Sequence, residues 1–218
     1  MLSVALRKPD DAPLRVLCLG AHCDDIEIGC GGTVLKLLET YKRVAVDWIV
    51  FSSDGQRANE ARESASIFLK EAGSSNVVIK NFANSFFPYI GSEIKRYFEE
   101  LKRNVSPDLV FTHYRNDLHQ DHRLISELAW NSFRDHMILE YEIPKYDGDL
   151  ASPNSFVHLD EVIAQRKIAY IMENFRSQRA KQWFDEQTFL AILRLRGVES
   201  NAPGKYAEGF YCRKTVLA

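Results

Sequence analysis

Short apolar runs alternate with longer amphipathic stretches along the first two thirds of the chain, and that rhythm leaves few folds open. Residues 15–20 (RVLCLG), 45–52 (AVDWIVFS), 77–82 and 108–113 (DLVFTH) have the length and composition of buried strands. Between them, residues 33–41, 58–72 and 92–104 carry apolar side chains at helical spacing, and 123–134 repeats the pattern. The spacing predicts Ile67 and Phe68 as buried, Gly73 as a C-cap and Ser92 as an N-cap. Strands separated by helices of this length form βαβ units with right-handed crossovers. The expected architecture is therefore α/β: a Rossmann-like, mostly parallel sheet with helices on both faces.

Beyond residue 134 the rhythm loosens. Residues 141–155 read as a long loop interrupted by Pro144 and Pro153, residues 159–184 as one or two helices, and 187–196 as another. The segment 204–216 (with EGFYCRKTV) reads as an edge strand. No repeat or linker divides the chain, so residues 1–218 are expected to form one domain, large enough to bury a core without disulfides.

A net charge of −2 gives no basic face for nucleic acid or an acidic membrane. No apolar stretch approaches the ~20 residues that span a bilayer. The opening MLSVALRKPDDAPLR has too short an apolar run for a signal peptide. The four cysteines, Cys18, Cys23, Cys30 and Cys212, form no CxxC pair. Reduced thiols in a cytoplasmic protein are the expectation. Oligomeric state is left open.

The chemistry concentrates at two strand exits. LGAHCDDIEIGCGGT follows the first strand with His22, Asp24 and Asp25, and THYRNDLHQDHR follows the fourth with Asp117, His119, Asp121 and His122. In a parallel sheet the ligand crevice lies outside the carboxyl ends of the strands, so the two clusters can share it. Mixed imidazole and carboxylate donors suit a borderline divalent metal such as zinc. His22 and Asp25 are three apart, so a turn entering a helix sets both toward one ion, with Asp24 pointing to solvent or substrate. A third ligand from the second cluster would leave a position for water, the mark of a catalytic site. Gly29, Gly31 and Gly32 are a poor match to GxGxxG, because Val34 holds the last glycine position and the acids ahead would repel a pyrophosphate. These glycines instead imply a tight turn and close helix-to-strand packing.

AHCDD beside DLHQDHR resembles the PIG-L/LmbE family of zinc-dependent N-acetyl sugar deacetylases, whose usual motifs are AHPDD and HPDH. SSDGQR at 52–57, the helical segment with Lys167, Ser177 and Gln178, and KYAEGFY near Tyr206 and Glu208 extend the likeness over nearly the whole chain. The resemblance implies one zinc ion, or another divalent ion, held by His22, Asp25 and His122. It implies Asp24 as general base. His119 would protonate the leaving amine or stabilise the oxyanion, with Asp121 orienting it. Arg57 and Asp117 are the expected substrate-binding residues, Arg57 within an Arg-x-x-Glu pattern that ends at Glu60.

Cys23 and Gln120 depart from the family by replacing prolines, and Cys23 is expected to loosen its turn or make it oxidisable. His113 is either a partner behind the site or a strand-end cap. Residues 82–89 (FANSFFPY) offer rings either to a sugar face or to core packing. The expected reaction is removal of an acetyl group from an amino sugar or its conjugate: a nucleotide sugar, a glycolipid or polysaccharide precursor, or an aminoglycoside intermediate. The alternatives are a zinc amidase for a non-sugar amide or thiol conjugate, and a non-catalytic nucleotide-binding module.

Overall fold

The computed structural model describes residues 3–6 and 12–216. Much of MLSVALRKPDDAPLR, and the outer ends of the expected domain, lie outside the described residues. The elements run β1 (Leu14–Gly20), α1 (Asp25–Thr40), β2 (Val44–Val50), α2 (Gly55–Phe68), β3 (Ser74–Ile79), α3 (Gly91–Asn104), β4 (Leu109–His113), α4 (Gln120–Ser132), β5 (Met137–Tyr141), β6 (Ser155–Leu159), α5 (Glu161–Asn174), α6 (Glu186–Glu199) and β7 (Tyr206–Cys212). The sheet order is β3-β2-β1-β4-β5-β7-β6. The first five strands are parallel, while β7 runs antiparallel to both its neighbours.

Two cores flank the sheet, and strand alternation assigns each residue to its side. Leu14, Val16 and Cys18 of β1 pack with the side chains of α1, α2, α5 and α6. Leu17 and Leu19 face the other way, toward Ile94 and Phe98 of α3 and Ile125 and Ala129 of α4. The α/β expectation with helices on both faces holds. Among the described residues, no helix is long and apolar enough to cross a membrane.

Several local expectations change. Helix α1 starts at Asp25, so Gly29, Gly31 and Gly32 lie inside it and form no turn. Their smallness serves packing: a Cβ on Gly29 would stand 2.1 Å from the Tyr141 ring. Helix α2 stops at Phe68, and Gly73 is not its cap; the Gly73 amide donates to Val44 as the chain turns into β3. Phe68 is buried but Ile67, a helical step away, is exposed. A 3-10 turn at Phe87–Ile90 runs directly into α3, so Ile90 rather than Ser92 holds the N-cap position. Strand β7 is internal, and β6, unforeseen in the loop reading, forms the edge.

Candidate active site

The strand order reverses between β1 and β4: the chain winds outward through β2 and β3, then α3 returns it to β4 on the other side of β1. That border is the topological switch point of the sheet. Residues 21–25 leave β1 there and residues 114–122 leave β4, which brings together two segments about a hundred residues apart.

Three donor atoms meet at this point. Nδ1 of His22 lies 3.1 Å from Nε2 of His122. Oδ2 of Asp25 lies 3.3 Å from that Nδ1 and 3.5 Å from that Nε2. The far side of each ring is engaged by a carboxylate: His122 Nδ1 stands 2.9 Å from Asp117 Oδ2, and His22 Nε2 stands 3.3 Å from Asp121 Oδ2. Asp117 draws the His122 proton to Nδ1, which leaves a lone pair on Nε2, whereas His22 faces a carboxylate at both nitrogens, Asp121 at Nε2 and Asp25 at Nδ1. Once His22 Nδ1 gives up its proton, two imidazole lone pairs and a carboxylate oxygen converge, an arrangement that repels itself unless a cation lies between. Ligands at about 2.0–2.1 Å on a tetrahedral ion stand about 3.3–3.4 Å apart, so the three edges here fit such an ion. His119 brings a further nitrogen close to His22 and His122, and His113 brings another close to Asp25 and His122.

The protonation of the cluster follows from its neighbours. Burial opposes charge on His22, but Asp25 and Asp121 outweigh it and raise the ring to about 9. Burial and the adjacent His113 press His122 down to about 3. Burial also works against Asp25, yet His122, His113 and His22 hold it ionised well below the usual carboxylate range. Without a metal, the proton on His22 balances the charge a cation would supply.

Asp24 lies beside the cluster but outside it. Its Oδ1 accepts from Arg57 Nη2 at 2.9 Å. Burial raises its pKa, and Arg57 pulls it partly back. His119 is the N-cap of α4, and its Nδ1 accepts the Asp121 amide at 3.2 Å. The imidazole proton therefore sits on Nε2. Burial and neighbouring His22 lower its pKa, which keeps the ring neutral. The Cys23 side chain turns away, with Sγ donating to the Ser52 carbonyl at 3.4 Å. Burial raises that thiol to about 12, so it is neither a ligand nor an exposed oxidisable group.

Two expected roles move. The Asp121 carboxylate does not orient His119: it accepts the amides of Ser85 and Phe87 and faces His22, because the helix start directs it back beneath the 81–87 loop. Asp117 is not at the substrate surface. It is buried between His122 and Lys145, with Oδ2 3.1 Å from Lys145 Nζ, and Oδ1 accepts the His119 amide at 2.8 Å. Burial opposes its ionisation, but His122, His113 and Lys145 hold it well below the ordinary range. Arg57 does line the cleft. Glu60 does not share that position, because it accepts the Ser177 amide and hydroxyl.

His113 sits behind the cluster, its ring stacked on His122 with centroids 3.9 Å apart and its Nε2 accepting the Ala21 amide. Tyr141 supports it, with its hydroxyl donating to the Leu19 carbonyl at 2.6 Å. The motif residues Lys167 and Glu208 are structural. Glu208 accepts the amides of Gly32 and Thr33 at 2.8 and 2.6 Å, and Lys167 Nζ donates to Glu208 and to the Ile28 carbonyl. The pair holds both ends of the ladder position from Ile28 to Gly32 inside α1, the helix whose first turn carries Asp25.

Above the cluster opens a cleft of about 290 Å³. Its walls include Asn84 and Ser85 from one loop, Lys145 and Tyr146 from the 142–154 loop, and Lys181 and Trp183 from the segment before α6. The 82–89 segment thus contributes polar groups to the cleft, while Phe87 packs in the core. Sequence reasoning missed Lys145, Lys181 and Trp183. The flagged loop length was the signal for Lys145, and a lone lysine near a tryptophan offered none.

Comparison with known proteins follows the same outline. Residues 17–133, from β1 to the end of α4, match the family model PIG-L: GlcNAc-PI de-N-acetylase. The chain is 27% identical over 155 residues to the uncharacterized deacetylase YaiS of Escherichia coli K12, covering 66% of this chain and 82% of that protein. The N,N'-diacetylchitobiose deacetylase of Pyrococcus horikoshii shares the fold with a TM-score of 0.66 and 21% identity over 96% of this chain and 87% of its own. GalB of Pseudomonas putida KT2440, a 4-carboxy-2-hydroxymuconate hydratase, shares it with a TM-score of 0.71 and 18% identity over 94% and 98%. A deacetylase and a hydratase on one fold leave the reaction to be argued from the site. The matched span holds both strand exits and every residue of the donor cluster, and on that match this chain belongs to the PIG-L (GlcNAc-PI de-N-acetylase) family.

Proposed function

We propose that this chain is a zinc hydrolase, one ion per chain, that removes the N-acetyl group from an N-acetylated amino sugar or its conjugate. The observation that carries the reading is the convergence of His22 Nδ1, His122 Nε2 and Asp25 Oδ2 within 3.1–3.5 Å of one another. We place the reaction in the cytoplasm and in a single domain spanning 1–218. Four free cysteines support the reducing compartment.

His22, Asp25 and His122 would hold the ion, and Asp117 and Asp121 would fix the two rings. When bound, a divalent cation supplies Lewis acidity, lowering the pKa of water and polarising an acyl oxygen. Asp24, whose ionised form Arg57 favours, accepts a proton from the attacking water. The water oxygen bonds to the acyl carbon. His119, neutral with its proton on Nε2, donates a hydrogen bond to the developing oxyanion. That tautomer favours the oxyanion role for His119 over proton delivery. Asp24 passes its proton to the departing nitrogen as the C–N bond breaks, giving acetate and a free amine.

The test joins metal analysis to product analysis. Purified protein should carry about one equivalent of a divalent ion, and it should release acetate from N-acetylglucosamine glycosides faster than from N-acetylated amino acids or thiol conjugates. Preference for the latter would replace the sugar with a non-sugar amide. Neither metal nor turnover on any of them would leave a binding module instead.

A further inference from the structure

Three cations line the cleft, and two of them are committed. Arg57 pairs with Asp24 at 2.9 Å, and Lys145 pairs with Asp117 at 3.1 Å and Asp149 at 2.5 Å. The third, Lys181, has no carboxylate within ion-pair distance among the described residues. Its ammonium lies over the Trp183 ring, 5.4 Å from the centroid. An ammonium parked on an indole face is weakly held at an exposed site, and an anion can recruit it.

The segment that carries the pair is built rather than loose. The Ser177 amide and hydroxyl are held by Glu60 of α2 at 3.0 and 2.5 Å. Gln178 and Phe184 are buried on either side. The Lys181 amide donates to the Gln178 carbonyl at 2.9 Å, and the Lys181 carbonyl accepts the Phe184 amide at 3.0 Å. Trp183, half-buried, adds a flat apolar wall of the kind a sugar ring lies against. Asp147, from the facing loop, is the one other unpaired charge on the cleft wall among the described residues.

We propose that Lys181 and Trp183 form a specificity subsite for an oxyanion, a phosphate ester or a carboxylate, carried by the N-acetylated sugar. The inference rests on the deacetylase reading and narrows its substrate class. The ring lies along Trp183 with its acetamido group at the donor cluster, and the anionic substituent draws the Lys181 ammonium off the indole.

The experiment compares kcat/KM for N-acetylglucosamine 1-phosphate, N-acetylglucosamine 6-phosphate and N-acetylmuramic acid with that for neutral methyl N-acetylglucosaminide. These arms separate phosphate from carboxylate and one ring position from another. At least one anionic sugar should exceed the neutral one by about tenfold or more at low salt, mainly through KM, with the ratio shrinking as salt is added. Lys181→Gln should bring the ratio close to one, whereas Asp147→Asn should keep or increase it. A neutral sugar that equals all three anionic ones, or a ratio unchanged in Lys181→Gln, overturns the subsite. Loss of the ratio in Asp147→Asn also overturns it, since Lys181 would then serve a bridge across the cleft. If no sugar is deacetylated, the deacetylase reading fails, and the subsite is read separately by calorimetry with glucosamine 1-phosphate and glucosamine. Tighter binding of the phosphate that Lys181→Gln abolishes supports it, and equal binding overturns it.

Discussion

Arg57, in the first turn of α2, sets Nη2 2.9 Å from Oδ1 of Asp24, so the carboxylate that neighbours the donor cluster has a counter-charge of its own. This explains how Asp24 and Asp25 stay adjacent in one buried turn: each is neutralised from a different direction. Asp24→Asn should retain the metal and lose about 10²–10⁴ in kcat, the usual worth of a positioned base. Arg57→Met should lose less, about tenfold. Combining them should cost little beyond Asp24→Asn alone, because Arg57 acts through the carboxylate. Steady-state kinetics with metal content on all four forms checks this, and strictly additive losses would contradict it.

Asp117 fixes the His122 ring from behind, at 2.9 Å. On the zinc reading proposed above, Asp117→Asn should weaken metal binding by about 10–100-fold while leaving the fold intact, the usual effect of losing a carboxylate behind a metal-ligating histidine. Competition with a chromophoric chelator measures it. An unchanged zinc affinity would return Asp117 to the substrate side of the site.

The sheet was readable from sequence because it follows local patterns, and the donor cluster because its two motifs follow strands and resemble those of a known family. Strand runs such as RVLCLG announce themselves by composition, and His22 and Asp25 follow the first strand closely, while His122, nine residues past the end of β4, was singled out among the second cluster by the family resemblance. What resisted reading depends on contacts between distant segments. Asp117 and Asp121 differ in no local feature from solvent-facing acids, and only the approach of Lys145 and of the Ser85 and Phe87 amides defines them. The position of β7 between β5 and β6 is likewise decided by pairing, which a short strand-like run does not encode.

Lys167 and Glu208 are both almost wholly buried, with Nζ 2.6 Å from Oε1. Removing one member strands the other. Lys167→Met or Glu208→Gln should each cost about 3–5 kcal/mol. The double variant should cost clearly less than the sum. Denaturant unfolding of the three variants decides it, and full additivity would mean that the two groups act independently.

Glu27 is buried in α1 with Oε1 2.6 Å from the Ser64 hydroxyl and no partner for Oε2. Burial lifts its pKa well above the ordinary value, and the Ser64 bond only partly offsets this. The folded state keeps a proton that the unfolded chain releases near pH ~4.3. Stability therefore falls as pH rises from there until the folded carboxyl itself ionises. Glu27→Gln lacks this dependence, so its Tm should gain on wild type between pH 5 and pH 8, with chelator present throughout. A constant difference across that range would show that Glu27 is ionised in the fold.

The thiols should differ sharply in reactivity. Cys23, at about 12, is ionised in only about one molecule in 10⁴ at pH 8, and Cys18 and Cys30 are buried with it. Native protein should take up one equivalent of iodoacetamide, at Cys212, and four after denaturation. Peptide mass spectrometry locates the label; modification of Cys23 in the native protein would mean that its turn opens.

Glu208 rides on β7, which slots between two strands made long before it. During synthesis α1 emerges early, and although α2 and α5 reach it first, the amides of Gly32 and Thr33 have no Glu208 to hold them until that late strand arrives and pairs. A nascent chain or a fragment ending short of β7 thus has every proposed metal ligand yet lacks one of the contacts that fix the helix carrying Asp25.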